Sequence, residues 1–212
     1  MQDTDLAPPQ LNAVEARIVA SLVEKEAITP DTYPLTLNAI VLACNQKTAR
    51  EPFMQLEPGE VGHALRQLEN RGWVKSEHAA RADRYGHRVE SKLDLSRGHT
   101  ALLALLMLRG PQTTNELLTR SERLAKFETA GDVQYALERL SQRDPALVRL
   151  LPRQGAQRED RYAHLLSGEP VYVASTTSAV AASSGSNAAL SERIAALEAR
   201  VAELEARIAG NG

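Results

Sequence analysis

EPGEVGHALRQLENRGWV, residues 57–74, and DVQYALERLSQRDPALV, residues 132–148, carry one pattern at two places in the chain. In the first, Val61, Ala64, Leu65 and Leu68 recur at spacings of three and four, which puts them on one face of a helix. Val133, Ala136, Leu137 and Leu140 repeat that stripe in the second. Each stretch ends at a break, Arg71-Gly72 or Arg143-Asp144-Pro145, and a short β-prone run follows at Trp73-Val74 or Leu147-Val148. A helix that runs straight into a hairpin, twice, is the order of tandem winged helix-turn-helix domains. The expected fold class is mainly α with small β-hairpin wings.

Outward from the first stretch, residues 11–95 read as one domain. Residues 11–26 form its first helix, with Asn12 as N-cap and Glu15 three residues on closing a capping box. Val14, Ile18, Val19, Leu22 and Val23 supply the buried stripe, and Glu15, Arg17, Ser21 and Lys25 are expected to face out. Pro34 is expected to open the second helix, with Leu37, Ile40, Val41 and Cys44 on its inner side. Residues 45–52, NQKTAREP, read as a polar loop. Residues 73–77 and 85–95 are the arms of a hairpin, and the basic tip between them holds Arg81, Arg84, His87 and Arg88.

Residues 96–166 repeat the order. A leucine-rich helix over 100–109 stops at Gly110-Pro111, and Thr113 with Glu116 makes the capping box of the next. The third helix is expected to start at Asp132 and end before Pro145. Arms at 147–152 and 161–165 enclose a second basic tip with Arg153, Arg158 and Arg161. The two units match in length and order, an internal duplication of roughly 75–85 residues. Residues 1–10 read as a disordered tail and residues 167–189 as a flexible linker. In residues 190–209, Leu190, Ile194, Leu197, Val201, Leu204 and Ile208 form a heptad seam. Arg193 and Arg200 at g face Glu198 and Glu205 at e, which suits a parallel two-stranded coiled coil and predicts a homodimer.

Residues 29–52 (TPDTYPLTLNAIVLACNQKTAREP) and 108–128 (LRGPQTTNELLTRSERLAKFE) resemble the YceH-like family of bacterial proteins. The resemblance covers about residues 11–165. It implies a tandem winged-helix fold and assigns no catalytic or binding residue.

Composition sets the outer bounds. The chain has 212 residues, 43% of them hydrophobic, and a formal net charge of −2. Lys and Arg against Asp and Glu number 11 against 14 in residues 1–95 and 11 against 9 in residues 96–170. Any phosphate-binding surface must therefore be local. One cysteine, Cys44, gives no disulfide framework, and the five histidines lack metal-ligand spacing. No nucleotide-binding loop or catalytic motif is present, so no enzyme activity, cofactor or metal is expected. The first ten residues do not read as a signal peptide, and the apolar run at 101–108 is too short to span a bilayer. A soluble cytoplasmic protein without a membrane partner is expected.

The candidate functional residues are the outward ones. Arg81, Arg84 and Arg88 in one wing, and Arg153, Arg158 and Arg161 in the other, offer mobile guanidinium groups for phosphate. His63, Arg66, Gln67 and Asn70 on one third helix, and Gln134, Arg139 and Gln142 on the other, are of types that read base edges. Glu57 and Glu60 oppose phosphate approach to the first of these. The leading expectation is a dimeric duplex-DNA-binding protein, a transcriptional regulator in kind. The alternative is a protein-interaction adaptor that binds no DNA.

Overall fold

A computed structural model describes residues 10–78, 82–153 and 159–170. Arg81, Arg158, residues 1–9 of the N-terminal tail, residues 171–189 of the linker and the whole heptad seam lie outside the described residues.

The first half comprises α1 (Ala13–Ile28), β1 (Leu35–Thr36), α2 (Leu37–Cys44), α3 (Pro58–Asn70), the hairpin β2 (Val74–Glu77) and β3 (Arg84–His87), and the short α4 (Val89–Leu93). The second half comprises α5 (Arg97–Arg109), α6 (Thr114–Ser121), α7 (Ala130–Ser141) and the hairpin β4 (Val148–Leu151) and β5 (Arg161–His164). The fold is α+β, helices with two small antiparallel sheets, as the sequence predicts. In the first sheet β3 lies between β2 and β1, with Leu35 opposite Tyr85. In the second, β5 pairs with β4 on one side and bridges Gln112 on the other through Tyr162. Helix, strand contact, helix, helix and hairpin thus occur twice in the same order.

Local chemistry sets the helix starts. Asn12 and Glu15 close the capping box of α1, with both bonds at 2.9 Å. Thr113 and Glu116 do the same for α6. Thr129, rather than Asp132, caps α7, and Asp132 is the partner that completes its box. Thr36, rather than Pro34, caps α2, because Leu35 and Thr36 are taken into the sheet. The second arm of the first hairpin ends at His87 and turns into α4, not a long strand.

Packing centres on α1 and α5, which lie against each other. Every residue from Glu15 to Glu24 of α1 is buried, as is every residue from Thr100 to Leu108 of α5. The apolar stripes of α3 and α7 close on this pair, with Leu65 and Leu137 fully buried, and Trp73 sealed at the foot of the first hairpin. One hydrophobic cluster runs through both halves.

Glu15, Arg17 and Ser21 are therefore inside, not on the outer face that helical periodicity assigns them. A helix packed from both sides has no solvent face, so its polar groups need internal partners. Arg17 donates from Nη1 to the carbonyl of Cys44 (3.2 Å) and from Nη2 to that of Pro52 (2.7 Å). Glu24 receives both Nη groups of Arg50, at 3.0 and 2.5 Å, while Arg50 Nε donates to the carbonyl of Ala43 at 3.0 Å. Asn45 clamps Leu56 through two side-chain bonds of 2.8 and 2.9 Å. The loop between α2 and α3 is thus fastened to α1, and the N–H of Glu51 donates to the carbonyl of Leu108 at the end of α5 (2.7 Å).

Removing one partner of a buried ion pair strands the other. Glu24→Ala and Arg50→Ala should each cost about 3–5 kcal/mol in urea unfolding, far more than Lys25→Ala. A loss comparable to that of Lys25→Ala would show that the pair does not hold the loop.

Candidate nucleic-acid interface

Helix α3 buries Val61, Ala64, Leu65 and Leu68 and turns His63, Arg66, Gln67 and Asn70 to solvent. None of these four side chains forms a hydrogen bond among the described residues. Glu57 and Glu60 are exposed at the N-terminal end of the same helix. Gly72 (φ 72°) turns the chain directly into β2, so the hairpin stands beside the helix. The charge of Arg66 reaches Tyr85 on β3, whose hydroxyl is raised chiefly by burial, then by Asp83 and Glu69, and is lowered by Arg66. Several acidic side chains of this half are turned inward: Glu15 to Arg71, Glu24 to Arg50, and Glu69 to the hydroxyl and N–H of Ser76.

The wing arginines divide into two kinds. Arg84 donates from Nη1 to the carbonyls of Pro34 (2.8 Å) and Thr32 (3.3 Å). Arg161 donates from the same atom to the carbonyl of Pro111 (3.0 Å) and to Glu116 (2.9 Å). These two groups are fastened rather than mobile, and they occupy the same place in the two halves. Each opens the second arm of its hairpin and holds the segment that enters the strand contact. A second equivalent pair sits at the ends of α3 and α7. Arg71 binds the carbonyl of Gln10 (2.7 Å) and Glu15, and Arg143 binds the carbonyl of Leu93 (2.7 Å). Both reach the turn just before the first helix of their own half. Arg88 and Arg153 are exposed, and their side chains have no hydrogen-bond partner among the described residues.

On α7, Gln134, Tyr135, Glu138 and Arg139 are exposed, as is its C-cap Gln142, and Gln134 donates to Glu138 at 2.9 Å. Arg139 and Arg143 stand near His99 on α5, whose imidazole is held below its ordinary pKa by burial and then by these two charges. Arg97, Arg123 and Lys126, with Glu122, line an open cleft of about 390 Å³ at the start of α5. The described residues thus place free basic groups singly or in small clusters. Among them, no set of three His, Cys, Asp or Glu could hold a metal ion, and no helix is long and apolar enough to cross a membrane.

Residues 11–157, which take in every described element except β5, match the family model described as a protein of unknown function, DUF480. The chain belongs to the DUF480 family. It is 60% identical over 161 residues to a UPF0502 protein of Stenotrophomonas maltophilia strain K279a, an alignment of 76% of this chain and 73% of that protein. A UPF0502 protein of strain R551-3 is 58% identical over 171 residues, 80% of this chain and 78% of the relative. One from Pseudomonas fluorescens Pf0-1 is 54% identical over 171 residues, covering 81% and 78%. The resemblance seen in residues 29–52 and 108–128 falls inside the DUF480 match.

Arg17, Arg50, Arg71 and Arg143, the arginines that hold the DUF480 fold together, are not among the residues that charge patterning picks out. Aligning the repeats would have found two of the fastening contacts. Pro34-Leu35-Thr36 matches Pro111-Gln112-Thr113, and Arg84-Tyr85 matches Arg161-Tyr162.

Arg84→Ala and Arg161→Ala should each lower stability by about 1–3 kcal/mol, the range for hydrogen bonds to charged groups, seen as a lower melting temperature. Arg153→Ala should leave the melting temperature unchanged. His164 gives a separate test. It is half-buried, its Nδ1 is sealed with no hydrogen-bond partner among the described residues, and burial pushes its pKa down to about 4. Below pH 6.5 the unfolded chain takes up a proton that the folded chain refuses, so stability should fall between about pH 6.5 and pH 4. His164→Gln should flatten that part of a stability–pH profile. An unchanged slope would assign it to other groups.

Proposed function

We propose that this protein binds duplex DNA through its first half, as a tandem winged-helix protein of the regulator kind and without catalysis. The observation that carries the reading is the outward face of α3. Arg66, Gln67 and Asn70 are exposed together on one helix beside a hairpin, and guanidinium and amide groups are those that bond bidentately to base edges. The helix occupies the third position of its unit, where a recognition helix enters the major groove. Arg88, near the base of the hairpin, supplies charge to the phosphate backbone. Arg84 and Arg161 are assigned no part, because the Nη1 of each is already bound to the fold and holds its guanidinium there. In the second half, Arg97, Arg123 and Lys126 offer a further phosphate contact.

A protein-interaction adaptor is the second reading. It is favoured by large apolar side chains left in solvent, Leu42 at 73% and Phe53 at 50% exposure, both in the helix-turn-helix region of the first half.

Fluorescence anisotropy on random and selected duplexes across a salt series separates the two. Replacing Arg66, Gln67 or Asn70 by Ala should relax preference at particular bases, by about 1–3 kcal/mol for each bidentate pair of hydrogen bonds removed. Replacing Arg88 should weaken binding to every duplex and flatten the log–log salt slope by about 0.9. Absence of duplex affinity at low salt would discard the DNA reading in favour of the adaptor.

A further inference from the structure

The two halves present equivalent surfaces whose chemistry has diverged. Superposing the stripes of α3 and α7 sets Tyr135 where His63 stands, Glu138 where Arg66 stands and Arg139 where Gln67 stands. On the hairpins, Leu150 lies opposite Tyr162 as Ser76 lies opposite Tyr85. The second surface has therefore gained two large apolar groups, Tyr135 at 65% and Leu150 at 45% exposure, and a carboxylate in place of an arginine. A carboxylate facing outward at that place repels phosphate. Helix α7 packs on β4, which carries Leu150, and apolar groups gathered on neighbouring elements mark a surface that another protein covers.

The charges on α7 are arranged by side. At 100° per residue, Tyr135 and Gln142 fall near one line down the middle of the exposed face, with Glu138 to one side and Arg139 to the other. The surroundings agree. The Glu138 carboxylate adds to the upward shift that burial gives the Tyr162 hydroxyl on the hairpin side, and Arg139 acts on His99 of α5 on the opposite side. A two-fold axis running along the helix exchanges these sides, so Glu138 of each copy meets Arg139 of the other, twice. An axis across the helix would set like charge against like. The face of α3 has no acid at the matching position and cannot pair with itself in this way.

We infer that the outward face of α7, together with Leu150, docks a second copy of this chain, with the two α7 helices parallel about a two-fold axis. An isologous contact needs a patch that complements itself, and this one does so in charge and in its apolar centre. The course of the chain agrees. Glu169 is ion-paired to Arg149, the neighbour of Leu150, so the chain leaves the described fold beside β4. The heptad sequence that follows has the g-to-e charge pattern of a parallel pair. This inference is independent of what α3 binds.

Sedimentation equilibrium of the full chain tests it. The wild type should form a reversible dimer. Tyr135→Lys, which sets two cations near the axis, should weaken that dimer roughly tenfold or more, while the melting temperature at concentrations where both proteins are monomeric stays unchanged, since the side chain is exposed in the monomer. Glu138→Arg and Arg139→Glu should each weaken it, and the two together should restore it. A short thiol cross-linker adds an independent readout. Cys44 is buried, with its thiol pushed up to about 11 by burial, so it contributes little background. Tyr135→Cys should cross-link into dimers and Asn70→Cys should not. A monomer at all concentrations, a dimer indifferent to these changes, or no restoration in the double variant would each overturn the inference.

Discussion

Helix α1 carries Glu15, Arg17, Ser21 and Glu24 and has no side facing water over that span. Charged groups in such a place cost several kcal/mol each unless they are paired and hydrogen-bonded. The rest of the first half is arranged to meet that demand. The end of α2 contributes the carbonyl of Cys44, the segment between α2 and α3 contributes Arg50 and the carbonyl of Pro52, and the end of α3 contributes Arg71. What looks like a solvated linker is a set of partners for one helix. Because the N–H of Glu51 also reaches α5, the same segment ties the first half to the second.

The same two contacts hold the base of the hairpin in each half. In each half one arginine holds the strand-entry segment and another holds the turn before the first helix. Residues so constrained position the third helix and the hairpin as one piece. Divergence then falls on the groups that the fold does not need. The α3 face presents guanidinium and amide groups, while the α7 face presents an aromatic ring flanked by opposite charges. Two copies of one scaffold can in this way carry two kinds of contact.

Much of this fold is legible in the sequence, for reasons that are local. The stripes of α3 and α7, the capping boxes at Asn12 and Thr113, and the burial of Trp73 and Cys44 follow from spacing and residue type. The inward turn of Glu15, Arg17 and Ser21 does not. Periodicity assumes that a helix has one wet side, and whether α5 covers that side is decided by tertiary packing. The partners of Arg84 and Arg161 are hidden for a similar reason. An arginine near a hairpin tip reads as free until the backbone carbonyls of a distant turn are brought within reach. The Thr129 cap escapes a reading by residue type because Asp132, three residues on, is an equally good cap by that measure.

Helices α1 and α5 form the shared core of one cooperative body built from two repeats, and everything else in the fold is referred to that pair. Native-state hydrogen exchange measures this directly, through the opening free energy of amides in each helix. Core amides of α1 and α5 should exchange with the same free energy, the largest in the protein, and Glu24→Ala should lower both together. Two distinct values, with only the α1 amides responding to Glu24→Ala, would contradict a shared core.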